Sequence, residues 1–167
     1  MANSRKGQAA MEYLMTYGWA LLVIVIVAVV LLTLNLKPAE QCIFDEQSIR
    51  CDQPQVPVLN SAGNLFATLS NGKTNSINIY TGGIVCTNSK DKPAEPAAAA
   101  AVLATIPAGG SIQLTGASAT TCIKTSGGAF TTGETYQGKL WIYYKNADDP
   151  SSYPYRYTSA QLVAKVS

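Results

Sequence analysis

Residues Tyr13–Leu36 read YLMTYGWALLVIVIVAVVLLTLNL, a run without one charged side chain. About 20 apolar residues in helical form cross the hydrocarbon of a bilayer, and this stretch is long enough to do so. Its centre, Val23-Ile24-Val25-Ile26-Val27, is β-branched and leans toward strand in water. In lipid a lone strand leaves its amides unpaired, so helix is the only spanning form open to one isolated segment. Apolar residues fall on every face of that helix, which places it in lipid or among other helices. Arg5 and Lys6 precede the run, an arrangement that keeps the N-terminus in the cytoplasm and puts the rest outside.

Two ordinary readings compete here. A cleaved secretory signal has an apolar region of about 7–15 residues ending at a small-residue site. The present run is longer and passes into Leu34-Asn35-Leu36-Lys37-Pro38 with no A-x-A pattern. An uncleaved single-span anchor is the plainer alternative. Tyr13, Tyr17 and Trp19 suit a membrane-interface belt under either reading.

The junction Arg5-Lys6-Gly7-Gln8-Ala9-Ala10-Met11-Glu12-Tyr13 separates the possibilities. It resembles the class III signal peptide of archaeal type IV-like pilins, whose leader ends in a basic residue and glycine. In that family glutamine opens the mature chain, and a glutamate follows at its fifth position, directly before the hydrophobic helix. Gly7, Gln8 and Glu12 fit at that spacing. The resemblance covers roughly the first 30 residues; the remaining chain carries no comparable motif. Glu12-Tyr13 is also similar to the short bacterial Flp/Tad pilins, which typically lack a domain of this size.

The resemblance implies a leader over 1–7, cut between Gly7 and Gln8 by a membrane prepilin peptidase. Residues 8–37 would then be a membrane span before assembly and a filament core afterwards. The implied partners are identical or related subunits in a helical homopolymer, the prepilin peptidase, membrane lipid before assembly, and a membrane platform with its assembly ATPase. Glu12 would guide assembly. Elementary electrostatics is consistent with that role: cleavage leaves an α-amino group on Gln8, largely protonated below its pKa of ~8. Glu12 then lies about one turn from a helix N-terminus, where a carboxylate is favoured. A carboxylate at the edge of an apolar run is costly unless it finds a partner. On the residue alone, an interfacial carboxylate among headgroups is the simpler account.

The remaining sequence is a different material. The whole chain has 167 residues and formal charge +2; setting aside Arg5 and Lys6 leaves it balanced. No basic stripe remains to neutralise phosphates, so nucleic acid is not an expected partner. There is no histidine, which removes the usual general base near neutral pH and every Ser-His-Asp or Cys-His arrangement. The chain is therefore read as a non-enzyme, with no catalytic residue and no cofactor.

After Lys37-Pro38, short β-prone runs alternate with turn signals. The expected strands are 56–60, 65–70, 76–81, 83–87, 111–115, 121–124, 139–145 and 155–166, punctuated by Asn71-Gly72, Gly82-Gly83, Gly109-Gly110 and Gly127-Gly128. The alanine-rich run Ala97–Ala104 between prolines is expected to form a short helix. The fold class is thus α+β: a long N-terminal hydrophobic α-helix followed by an antiparallel β-sandwich (Ig-like) domain over 38–167.

All four cysteines follow the span, on its oxidising side if the orientation is right. Four cysteines permit three pairings. We favour Cys42–Cys51, closing a small loop, and Cys86–Cys122, stapling two strands. Metal ligation is disfavoured because there is neither a C-x-x-C nor a histidine. Asp148-Asp149-Pro150 is read as a solvated turn rather than a calcium loop. Tyr143, Tyr144, Tyr153, Tyr155 and Tyr157 cluster near the last expected hairpin, where they could stack on sugars, pack against another subunit or cover the domain's own core. No Asn-x-Ser/Thr acceptor occurs.

The function expected from these features is that of a structural subunit of an archaeal type IV-like adhesion pilus, inserted first in the cytoplasmic membrane and then extracellular. The alternatives are a membrane-held or pilin-like surface protein binding sugar or another ligand, and an archaellin-type subunit. N-terminal sequencing of the exported protein should begin at Gln8. A start at Met1 or Ala2 would sink the processing claim.

Overall fold

The computed structural model describes residues 4–33, 39–52, 56–115 and 121–167. The Lys37-Pro38 junction and residues 34–36 of the apolar run lie outside the described residues. The chain divides into two compact units, Met1–Lys37 and Pro38–Ser167.

The first unit holds one helix, α1 (Ser4–Thr33), which contains no proline. Its stretch Met11–Leu32, 22 residues, is long and apolar enough to cross a membrane. At 1.5 Å per residue that is about 33 Å, close to the thickness of bilayer hydrocarbon. The hydroxyl of Thr16 would be costly in lipid, and the helix absorbs it: Oγ1 donates to the Glu12 carbonyl at 2.8 Å.

The second unit is built from strands. In chain order they are β1 (Gln41–Phe44), β2 (Ile49–Cys51), β3 (Val58–Leu59), β4 (Leu65–Asn71), β5 (Ile77–Thr87), β6 (Val102–Ile106), β7 (Ser111–Leu114), β8 (Cys122–Ile123), β9 (Thr135–Asn146) and β10 (Arg156–Val166). Helix followed by a β region agrees with the α+β expectation. The strand pairing does not establish the separate antiparallel sheets of an Ig-like sandwich. All ten strands hydrogen-bond into one mixed sheet ordered β2-β4-β3-β10-β9-β5-β6, with β1 on β10, β7 on β4 and β8 on β5. The physical reason is β3, which pairs antiparallel with β4 and parallel with β10 and so joins the groups. The β5–β8 pair is also parallel.

The longest ladder is β9–β10, antiparallel from Arg156↔Tyr144 to Lys165↔Thr135. Alternation along it sends Leu140, Ile142 and Tyr144 from β9, and Ala160, Leu162 and Ala164 from β10, into the main core. There they meet Leu65 and Leu69 of β4 and Ile77 and Ile79 of β5. Full burial of each large aliphatic side chain contributes roughly 1.5–3 kcal/mol.

Two expected elements are corrected. The runs 76–81 and 83–87, read as separate strands, form the single strand β5. Its register on β9 jumps from Ile79↔Tyr144 to Ile84↔Ile142, so Gly82-Gly83 makes a bulge where a turn was expected. Gly82 has φ +77°, and a Cβ on Gly83 would sit 2.8 Å from the Tyr80 carbonyl oxygen. Only glycine satisfies both demands. The expected Ala97–Ala104 helix is likewise absent. Ala97–Ala100 makes one turn, and Val102–Ile106 is strand β6 on the free edge of β5. Edge pairing supplies the hydrogen bonds that a short alanine helix holds only marginally in water.

From β6 the chain passes through Pro107–Gly110 to β7, which pairs with β4. Asn71, fully buried at the end of β4, clamps this connection. Its Nδ2 donates to the carbonyls of Asn75 (2.9 Å), Ile106 (3.2 Å) and Pro107 (3.1 Å), and its Oδ1 accepts from Lys73 N. Tyr136 of β9 lies against Cys86 Sγ at 3.7 Å, and burial pushes its phenol up to about 12, which keeps it neutral.

The disulfides join Cys42 of β1 to Cys51 of β2 and Cys86 of β5 to Cys122 of β8, at sequence separations of 9 and 36. No free cysteine remains. Closure entropy of the unfolded chain makes the longer loop the stronger clamp, about 4 kcal/mol against about 3 kcal/mol. The double variant Cys86→Ser/Cys122→Ser should therefore lose more denaturant resistance than Cys42→Ser/Cys51→Ser. The reverse order, measured by chemical unfolding of the full chain in detergent, would contradict this.

Candidate functional site

Three surfaces carry chemistry that the core does not use. The first is α1. The helix runs unbroken through Gly7 and Gln8, and the Gln8 side chain lies outside what the structure describes. Glu12 follows Gln8 by four residues and hence lies on the same helical face. Its side chain is exposed, and among the described residues it makes no ion pair. Tyr13 and Tyr17 stack at 5.0 Å between centroids, an i,i+4 pair. The apolar side chains of Met11–Leu32 are exposed on all sides of the helix. An apolar surface of that extent marks a lipid or protein contact rather than a solvated helix.

The second surface is the face of the β9–β10 ladder turned away from the core. Trp141 and Tyr143 belong to it, yet both are buried. The segment leading into the run expected to be helical crosses this face at Tyr143 and Tyr155. Tyr143 Oη donates to the Pro93 carbonyl at 2.5 Å, and Tyr155 Oη donates to the Ala97 carbonyl at 3.1 Å. Lys92 Nζ lies 4.1 Å from the Tyr157 ring centroid and 5.6 Å from that of Tyr143. Thr81 N donates to the Ala101 carbonyl at 2.9 Å and closes the far end. Residues 92–101 thus form a strap over the tyrosines. Burial raises the phenol pKa of both Tyr143 and Tyr155, which preserves them as donors.

Lys145, almost fully buried at the same face, donates to the Ser151 carbonyl at 2.7 Å and sits 4.5 Å from the Tyr155 ring centroid. Asp148-Asp149-Pro150 lies in the turn expected there, but Asp149 is engaged by the protein where a solvated side chain was expected. Asp149 accepts from Asn146 N at 2.8 Å and pairs with Arg156 at 3.3 Å. Among the described residues no group of three His, Cys, Asp or Glu side chains could hold a metal ion.

The third surface is an open polar groove of about 450 Å³, lined by Asn88–Lys90, Gln137–Lys139 and Gln161. It adjoins the strapped face through Lys139, whose ammonium lies 5.6 Å from the Trp141 ring centroid.

No protein-family model, curated protein or solved structure matches the chain. Function is accordingly read from the chain's own geometry.

The linear motif Gly7, Gln8 and Glu12 lies on one helix, and Cys42–Cys51 and Cys86–Cys122 are bonded as the favoured pairing has them. The five tyrosines do not form one cluster. Tyr144 enters the core, Tyr143 and Tyr155 hold the strap, and Tyr153 and Tyr157 stay exposed. Sequence reasoning missed the groove entirely, because three distant segments build it.

Tyr143→Phe should remove the hydroxyl that holds Pro93 and cost roughly 0.5–1.5 kcal/mol. Faster amide hydrogen exchange confined to residues 92–101 would accompany that loss. Unchanged exchange there would show that the strap is held by something else.

Proposed function

We propose that this protein is a structural subunit of an archaeal type IV-like adhesion pilus, polymerising through α1 after leader cleavage. The observation that carries the reading is the register of Gly7, Gln8 and Glu12 ahead of a helix exposing apolar side chains on every face. Neither half suffices alone. An apolar helix is equally an anchor, and a glutamate near a membrane edge is equally an interfacial residue.

Together they supply a mechanism. Because α1 is continuous from Ser4, cleavage after Gly7 leaves an intact helix beginning at Gln8. Trimming brings Glu12 from the helix interior to within about a turn of the new N-terminus. Its carboxylate then lies near a fresh ammonium group and the positive end of the helix dipole. In the membrane that charge needs a partner. The Gln8 ammonium of an incoming or neighbouring subunit, or the chain's own, supplies it and sets the register of insertion. Once drawn from lipid, the helices bury their apolar faces in one another. The disulfide-bearing domain is left outward. Prepilin peptidase, membrane platform and assembly ATPase are the partners this scheme requires.

Glu12→Gln is the discriminating variant. It should still be exported and begin at Gln8, but surface filaments seen by electron microscopy should fall at least about tenfold. Normal filaments from Glu12→Gln would remove Glu12 from assembly. Absence of filaments from the unaltered chain, with protein retained as detergent-soluble monomer, would favour the membrane-held binding protein instead.

A further inference from the structure

The polar groove at the end of the β9–β10 ladder has the chemistry of a ligand site. Its walls come from Asn88–Lys90, just after β5, from Gln137–Lys139 on β9, and from Gln161 on β10, directly opposite Lys139. No acidic residue lines it. Neither Lys90 nor Lys139 takes part in an ion pair among the described residues.

The loop wall is held in place before any ligand arrives. Asn88 Oδ1 accepts from Thr125 N at 2.7 Å and from Thr125 Oγ1 at 2.6 Å, which leaves its amide NH₂ as the remaining donor. Thr87 Oγ1 accepts from Ser89 N, and Ser89 Oγ accepts from Asp91 N, each at 3.1 Å. Preorganisation of this kind lowers the ordering cost of binding.

Beyond the groove the same face continues as a strip whose exposed ring is Tyr157, since Trp141 and Tyr143 are buried. Along the ladder, Gln161↔Lys139 is followed by Ser159↔Trp141 and then Tyr157↔Tyr143. Four residues of strand cover about 13 Å, so groove and Tyr157 together suit an extended ligand. Tyr157 is 48% exposed, with its ring 6.0 Å from that of Trp141 and Lys92 4.1 Å from its centroid. Lys92 is itself paired with Glu95 at 3.2 Å, and Asp45 accepts from Ser159 Oγ midway along the strip. Lys90 and Lys139, the cations without an ion pair among the described residues, thus stand with the carboxamides at the groove end, and half-exposed Tyr157 stands at the other.

We propose that this strip binds an acidic oligosaccharide, a chain of uronic-acid type. The carboxamides of Asn88, Gln137 and Gln161 both donate and accept, or supply the donor left over, which matches sugar hydroxyls. Lys90 and Lys139 meet carboxylates. The Tyr157 ring receives the apolar face of a sugar ring. A phosphate polymer fits less well, since the groove contains no arginine fork and the outer domain as a whole carries no basic excess. The site does not depend on polymerisation: monomers and filaments alike carry it.

The test uses the full-length chain in neutral detergent micelles, titrated calorimetrically with hexameric oligogalacturonate. The comparison ligands are its methyl-esterified form, polyglutamate and a single-stranded DNA of equal charge. The acidic hexamer should bind, with affinity falling as salt rises. The ester, Lys90→Gln/Lys139→Gln and Tyr157→Ala should each weaken binding about tenfold or more, while Lys139→Arg should largely retain it. Thermal unfolding midpoints of these surface variants should stay near that of the parent, and Lys139→Arg controls for any that move. No binding, equal affinity for acid and ester, or indifference to the lysine pair would overturn the proposal. Polyglutamate or DNA binding as tightly as the hexamer would also overturn it, leaving only nonspecific attraction of polyanions.

Discussion

The β9–β10 ladder is the interaction on which the outer domain depends. Its two strands are the longest antiparallel partners in the sheet, and each also holds other strands on its free edge. β10 takes β1 and β3, and β9 takes β5. Removing the ladder would part β10, with its partners β1 and β3, from β9 and its partner β5. The β1–β10 pairing closes almost the whole domain, from Gln41↔Val163 to Phe44↔Ala160. Closing a loop of that length costs entropy before any contact is gained. The two disulfides reduce the freedom of the unfolded chain that opposes it.

Both faces of the ladder are covered, by different means. The core face meets aliphatic side chains from β4 and β5, as alternation along a half-buried strand requires. The opposite face would expose Trp141 and Tyr143 if it were left bare. The strap over 92–101, interrupted by prolines at 93 and 96, crosses it instead, held by phenol hydroxyls. The strap ends where Lys90 and Lys139 begin, so the same face passes from a covered aromatic layer to an open polar groove within a few residues. The bulge at Gly82-Gly83 lets β5 keep pairing with β9 on either side of Tyr143.

The two units divide the physical tasks. α1 offers side chains that only lipid or other helices can satisfy, and it carries one carboxylate, Glu12, at the edge of its apolar run. The β unit satisfies its own core and keeps its disulfides internal. In the proposed filament, cohesion would reside in the first unit and recognition in the second. Changes to the groove would then leave assembly untouched, and changes to Glu12 would leave the groove intact.

By itself the sequence determined α1, because a long uncharged run has only one way to satisfy its amides in lipid, and that constraint is local. The spacing of Gly7, Gln8 and Glu12 was legible for the same reason: their relation is one of residues along a single helix. Strands such as Leu65–Asn71 and Arg156–Val166 were legible through β-rich composition between turns. The short strands Gln41–Phe44 and Ile49–Cys51 were not, since their extended form is imposed by partners far along the chain. Alanine propensity misdirected the reading of Ala97–Ala104, and Gly82-Gly83 looked like a turn until β9 gave both flanks the same neighbour. Only the tertiary structure decided that the sheet is single and mixed, that tyrosine hydroxyls hold a strap, and that a polar groove exists. Each of these is a meeting of segments that are remote in sequence, and no local preference of a side chain specifies which distant strand it will face.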